Sequence, residues 1–214
     1  MMKKPEPKDT SSRGEPAVAE ADDPFDAAYY DRFYESNRTR VHGAAEISHL
    51  ARGVSEMIAW FGVDLRAALD VGAGAGLWRD WFRDNRPEVR YRSTDVSAYA
   101  CERYGHEKRD IARWRARERY DLVICQGVLP YLSDEDCEAA IENLAAMSRG
   151  FLYLEVVTKR DFEEIVDREK TDASMRPRSR AWYRSRLDPH YKQIGCGLWY
   201  AAKGHVGFYE MERL

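Results

Sequence analysis

No uninterrupted run of about eighteen apolar residues occurs in this 214-residue chain, so nothing in it reads as a membrane-spanning helix. Cysteine is sparse. Cys101, Cys125, Cys137 and Cys196 form no Cys-x-x-Cys pair, which argues against a zinc site and a disulfide framework. Reduced thiols in a cytoplasmic protein are the simplest expectation. An excess of one charge is also missing. Lys and Arg total 34 against 37 Asp and Glu, a net charge of -3, unlike a dedicated nucleic-acid binder. Met1 to Asp23 lacks the apolar stretch of a secretory signal, and its Pro, Glu, Lys, Ser and Ala predict a disordered tail over 1–23. No internal repeat is present.

The remainder suits a single soluble domain over 24–214, with enough apolar residues for one core. Asp26 to Tyr34 reads as a short helix crowded with aromatics. A second helix starts near Gly43, because Ile47, Leu50, Val54, Ile58 and Phe61 recur on one helical face, and Gly62 ends it. From Ala67 the pattern alternates. Strands are expected at 67–71, 89–94, 106–109, 120–125 and 150–157, and helices at 77–84, 97–104, 111–115 and 134–148. Ser133 and Asp136 resemble a capping box for the last helix. Asp188-Pro189 suggests one more helix, ended by Gly195. Leu198 to Ala202 and Val206 to Met211, joined by Lys203-Gly204-His205, read as a terminal hairpin. The expected fold is α/β: a doubly wound, mostly parallel seven-stranded sheet covered by helices on both faces and ending in an antiparallel hairpin.

The loop Asp70-Val71-Gly72-Ala73-Gly74-Ala75-Gly76 lies between a strand and a helix, where bare backbone and a helix N-terminus can meet a ligand. A dinucleotide fingerprint needs a wider glycine spacing, with glycine where Leu77 stands. The Gly-x-Gly-x-Gly spacing behind an acidic residue instead resembles motif I of the class I S-adenosylmethionine (SAM) dependent methyltransferases. The parallel sheet with its closing hairpin is similar to that family's Rossmann-like fold.

The resemblance implies SAM as cofactor. Asp70, Gly72, Ala73, Gly74 and Gly76 would underlie its methionine and ribose parts. Asp95, at the end of the second strand, suits a ribose diol, since one carboxylate can accept from both hydroxyls; Val96 completes a stretch similar to motif II. Asp110 and Ile111 resemble the adenine-binding motif, and Gln126 and Gly127 would approach the sulfonium. Tyr30 and Tyr34 correspond to N-terminal tyrosines that pack against the cofactor in relatives. Each residue also has a local reading. Asp95 and Asp110 suit N-caps, and Gln126 can satisfy loop backbone.

Methyl transfer from a sulfonium needs mainly orientation and proximity, so the family has no universal catalytic residue. The acceptor is expected to be a small molecule, acidic or aromatic, bound by three segments. These are the aromatic N-terminal helix, the turn around Tyr131, and an insertion over 159–194 rich in Arg and Lys. Tyr131 stands where many relatives carry histidine. His190 and His42 are the candidate bases, with Glu155 a third. A monomer or homodimer without membrane or nucleic-acid partners fits this reading. Alternatives are methylation of RNA or protein, a nicotinamide-dependent oxidoreductase, and a catalytically silent binding subunit.

Overall fold

The computed structural model describes residues 23–212. Nearly all of the expected tail therefore lies outside the described residues.

The N-terminal segment forms α1 (Ala27–Tyr30), capped by the Asp26 carboxylate on Tyr29 N and continued by a π-helical turn over Asp31–Glu35. Helix α2 (Ala44–Trp60) follows. Then come β1 (Ala67–Val71), α3 (Leu77–Asn85), β2 (Arg90–Asp95), α4 (Ala98–Tyr104), β3 (Glu107–Lys108), β4 (Tyr120–Gln126), α5 (Asp134–Met147) and β5 (Ser148–Glu155). The chain ends with α6 (Lys159–Glu164), α7 (Arg180–Leu187), β6 (Tyr191–Gly195) and β7 (Leu198–Ala201). One seven-stranded sheet runs in the order β3-β2-β1-β4-β5-β7-β6. Its first five strands pair in parallel, and β7 runs antiparallel to β5 and β6.

Two apolar clusters explain why the central strands read as unbroken hydrophobic runs. Leu69, Val123 and Leu152 point to one face, under α5 and α7. Ala68, Leu122, Ile124 and Phe151 point to the other, under α2 and α3. Residues buried on both faces leave no room for alternation with polar side chains.

The end of the chain corrects the expected hairpin. Leu198–Ala201 is a strand, but its partner is the preceding segment. Cys196 (φ 49°) and Gly197 (φ 77°) make the tight turn, and a Cβ on Gly197 would sit 2.9 Å from the Tyr153 ring. Residues 189–195 are therefore turn and strand rather than helix, and Asp188 closes α7 instead of opening a helix. Val206 and Phe208 pack against the α2-side cluster without joining the sheet. The expected helix at 111–115 is one turn only, closed by Trp114 N donating to the Asp110 carbonyl.

Candidate functional site

Parallel strands β1, β2 and β4 end at the same sheet edge, where the order reverses between β1 and β4 and a crevice opens. The loop after β1 carries Gly72, Gly74 and Gly76, all left-handed (φ 70°, 57° and 75°), so the chain turns there without side chains. A Cβ on Gly72 would sit 2.3 Å from Val128 Cγ2. Beneath the loop Asp95 is buried. Its Oδ2 accepts from Gly74 N and its Oδ1 from Ser97 N, each at 2.9 Å. His106, expected only to open a strand, braces the same loop: Nε2 lies 3.0 Å from the Gly74 carbonyl and Nδ1 2.9 Å from Ser93 Oγ. Burial holds its imidazole below its usual range. Asp70, also buried, accepts from Tyr91 OH at 2.7 Å, and desolvation pushes its carboxyl up to about 7.

A cavity of about 400 Å³ opens over this loop. Of the residues singled out from sequence, Asp70, Gly72, Ala73, Gln126, Gly127, Tyr34, Tyr131, His42 and Glu155 line it, whereas Gly74 and Asp95 lie outside the lining. Tyr34 lies against Gly74, and Tyr30 stacks on Tyr34 with centroids 4.9 Å apart, buried outside the lining. Gly76 caps α3 at the edge of the loop. Val96 is exposed beside Asp95. Asp110 lies outside the lining, its carboxylate accepting from Ala112 N and Arg113, and Ile111 turns its side chain into the core.

His190 is not part of this site. It precedes β6, which runs parallel to β5, so it lies at the amino end of the sheet, opposite the crevice. There its Nε2 meets Glu142 of α5 at 3.1 Å.

The expected role of the basic insertion also changes. Segment 161–175 does roof the cavity, but Lys170 is its only Arg or Lys in the lining. Arg178 is buried instead: it donates to Asp134 (2.7 Å) and to the carbonyls of Leu129 (3.1 Å) and Leu132 (2.6 Å). Arg178 and Arg186 both cover the Trp182 ring. Arg178 fastens the base of the roof, and Arg186 joins α7 to Glu138 of α5; neither faces the cavity.

Two features of the site had no clear signal in the sequence. Phe25 packs edge-on to Tyr131 and Tyr29 while its carbonyl accepts from Ser97 Oγ at 2.6 Å, tying the N-terminal segment across the β2–α4 turn. The hydroxyls of Tyr29 and Tyr131 lie 3.0 Å apart, and burial raises both phenols above their usual range.

A family model described as a methyltransferase domain matches residues 41–207, most of the chain. The chain belongs to this methyltransferase family. Solved structures similar to it include a SAM-dependent methyltransferase from Clostridium acetobutylicum ATCC 824, with a TM-score of 0.59 and 11% identity. That match covers 84% of this chain and 98% of the other. Magnesium protoporphyrin IX methyltransferase (ChlM) from Synechocystis PCC 6803, solved with bound SAM, gives a TM-score of 0.52 at 20% identity, over 83% and 90% of the two chains. The N-methyltransferase NodS from Bradyrhizobium japonicum WM9, solved with S-adenosylhomocysteine (SAH), gives 0.51 at 16%, over 71% and 87%. No curated protein matches the sequence. At these identities the likeness concerns the fold: the strand order and closing antiparallel pair of this methyltransferase are those of the class I enzymes.

Among the described residues no cluster of three or more metal-ligating side chains occurs, and no helix is long and apolar enough to cross a membrane.

Proposed function

We propose that this methyltransferase transfers the methyl group of SAM to a small molecule held in the cavity above the glycine loop. The observation that carries the reading is the pairing of that bare loop with Asp95 directly beneath it. A carboxylate offers about four acceptor positions, and Asp95, buried beneath the loop and outside the cavity lining, spends two on the amides of Gly74 and Ser97; the family resemblance assigns the remainder to a ribose diol. Asp70 stands at the cavity for an ammonium, and the aromatic faces of Tyr34 and Trp78 suit a sulfonium. Asp110 and the Ile111 amide lie beyond the lining, and only the family resemblance assigns them to adenine. Bound SAM would supply an activated methyl group; the chain's task is to align an acceptor with it and exclude water.

The cavity walls favour the aromatic or apolar side of the acceptor expectation. Phe33, Val41, Ile47, Trp78, Val166 and Met175 line it. An acidic acceptor is disfavoured, since Asp70, Glu155, Asp161 and Asp172 share the lining with Lys170 and His42. Tyr131 and His42 both line the cavity, which supports assigning them to the acceptor.

Calorimetry on the purified chain tests the reading. SAM and SAH are expected to bind, and NADH is not. Heat with NADH and none with SAM or SAH would overturn it.

A further inference from the structure

We propose that His42 takes the proton of the methyl acceptor with Glu155 holding the imidazole, so that the acceptor presents a hydroxyl or amino group. The proposal rests on the cavity being a SAM site and specifies the acceptor of that site. Glu155 ends β5 beside Gln126 of β4 in the sheet register. Its Oε2 accepts from Gln126 Nε2 and from Tyr153 OH, each at 3.2 Å. Gln126 is turned in its place by Trp78, whose Nε1 donates to Gln126 Oε1 at 2.7 Å. Oε1 of Glu155 faces His42, with Nε2 3.6 Å away. Donors from α3, β4 and β5 thus orient the carboxylate in advance, which spares reorganisation when charge develops beside it.

Both side chains are 37% exposed and line the cavity, so the pair is available to a ligand. The other carboxylates of the roof are engaged locally: Asp161 accepts from Thr158, and Asp172 from Ser174. His42 directs Nε2 at Glu155, which leaves Nδ1 for a proton from the acceptor. As the acceptor oxygen or nitrogen forms its bond to the methyl carbon, the carbon–sulfur bond breaks and its electron pair stays on sulfur, now a neutral thioether. The acceptor proton passes to Nδ1, and Glu155 stabilises the imidazolium. His42 is then a catalytic residue and Glu155 a positioning residue.

The groups that face His42 are Glu155 from β5 and Glu46 from α2, with Asp70, Asp161, Lys170 and Asp172 around the cavity. The Glu155 carboxylate beside it raises the imidazole pKa above its usual range.

The test needs no acceptor. Sinefungin carries an ammonium on carbon in place of the sulfonium methyl of SAM, whereas SAH has only a neutral sulfur at that point. The full chain is titrated with both by calorimetry between about pH 6 and pH 8.5. At the upper end the wild type should prefer sinefungin about tenfold, the effect of one nearby carboxylate in a partly hydrated site. Toward pH 6 the preference should shrink as the imidazolium offsets Glu155. Asp70 changes charge in the same window, and His42→Gln, which retains Asp70, isolates its share of the pH dependence.

Glu155→Gln should prefer sinefungin by less than about threefold at every pH, with SAH affinity and melting temperature retained. His42→Gln should keep the preference and lose its pH dependence. A wild type without preference, or Glu155→Gln that keeps it, overturns the pair. Should Glu155→Gln melt early, the wild-type profile set against His42→Gln decides. If neither ligand binds the wild type, the SAM reading itself fails.

Discussion

At the scale of residues, burial separates side chains that looked equivalent in the sequence. Asp70 near the end of one strand candidate and Asp110 just after another look alike in sequence, yet Asp70 is buried against Tyr91 while Asp110 is partly exposed beside Arg113. The raised Asp70 carboxyl has a consequence for stability. In the folded chain it binds a proton that the unfolded chain releases near pH 4, so stability falls as pH rises from about 4 toward 7. Asp70→Asn keeps an acceptor for Tyr91 and removes the buried charge. It should be more stable than the wild type at pH 8 by about 2–4 kcal/mol, with the difference gone near pH 4. Urea unfolding of both proteins at the two pH values measures this.

Gly72 shows the opposite case, in which the sequence was already informative. Its left-handed backbone and the 2.3 Å approach of Val128 to a Cβ exclude every other residue without strain. Gly72→Ala should lose SAH binding by at least about tenfold in calorimetry.

At the scale of elements, local chemistry marked where helices begin. Ser133 caps α5 through Asp136 N, one half of the expected capping box, and the Asp136 carboxylate turns to Arg113 instead; Ser97, Thr158 and Ser179 also cap their helices. Such signals involve neighbours three residues apart and need no tertiary context. Strand pairing does need it. Residues 191–195 and 206–211 are both apolar enough to flank β7, and the choice fell to the turn at Cys196-Gly197.

The roof over the cavity likewise depends on remote contacts, with Arg178 the buried side-chain anchor. Arg178→Met leaves the Leu129 and Leu132 carbonyls without their donor and should cost about 2–4 kcal/mol in urea unfolding, with faster proteolysis within 159–178. Arg160→Ala, which breaks an exposed pair with Glu164, should cost less than about 0.5 kcal/mol.

At the scale of the whole molecule, one sheet edge gathers the ends of β1, β4 and β5, and the N-terminal segment and insertion close over them. Ligand binding there should tighten elements far apart in the chain. SAH at about a hundred times its dissociation constant should add about 2.7 kcal/mol and raise the melting temperature by about 5–10 °C. Differential scanning calorimetry checks this, and NADH at the same concentration should leave the transition in place.

The sequence by itself determined the strand–glycine–helix junction and the mostly parallel sheet, because glycine spacing, apolar runs and caps act over a few neighbouring residues. Only the tertiary structure decided that His42 meets Glu155 while His190 faces away, and that Arg178 of the insertion is buried as an anchor. Those outcomes depend on strand order and on which sheet edge a loop reaches, and residues 113 positions apart leave no local trace of their contact.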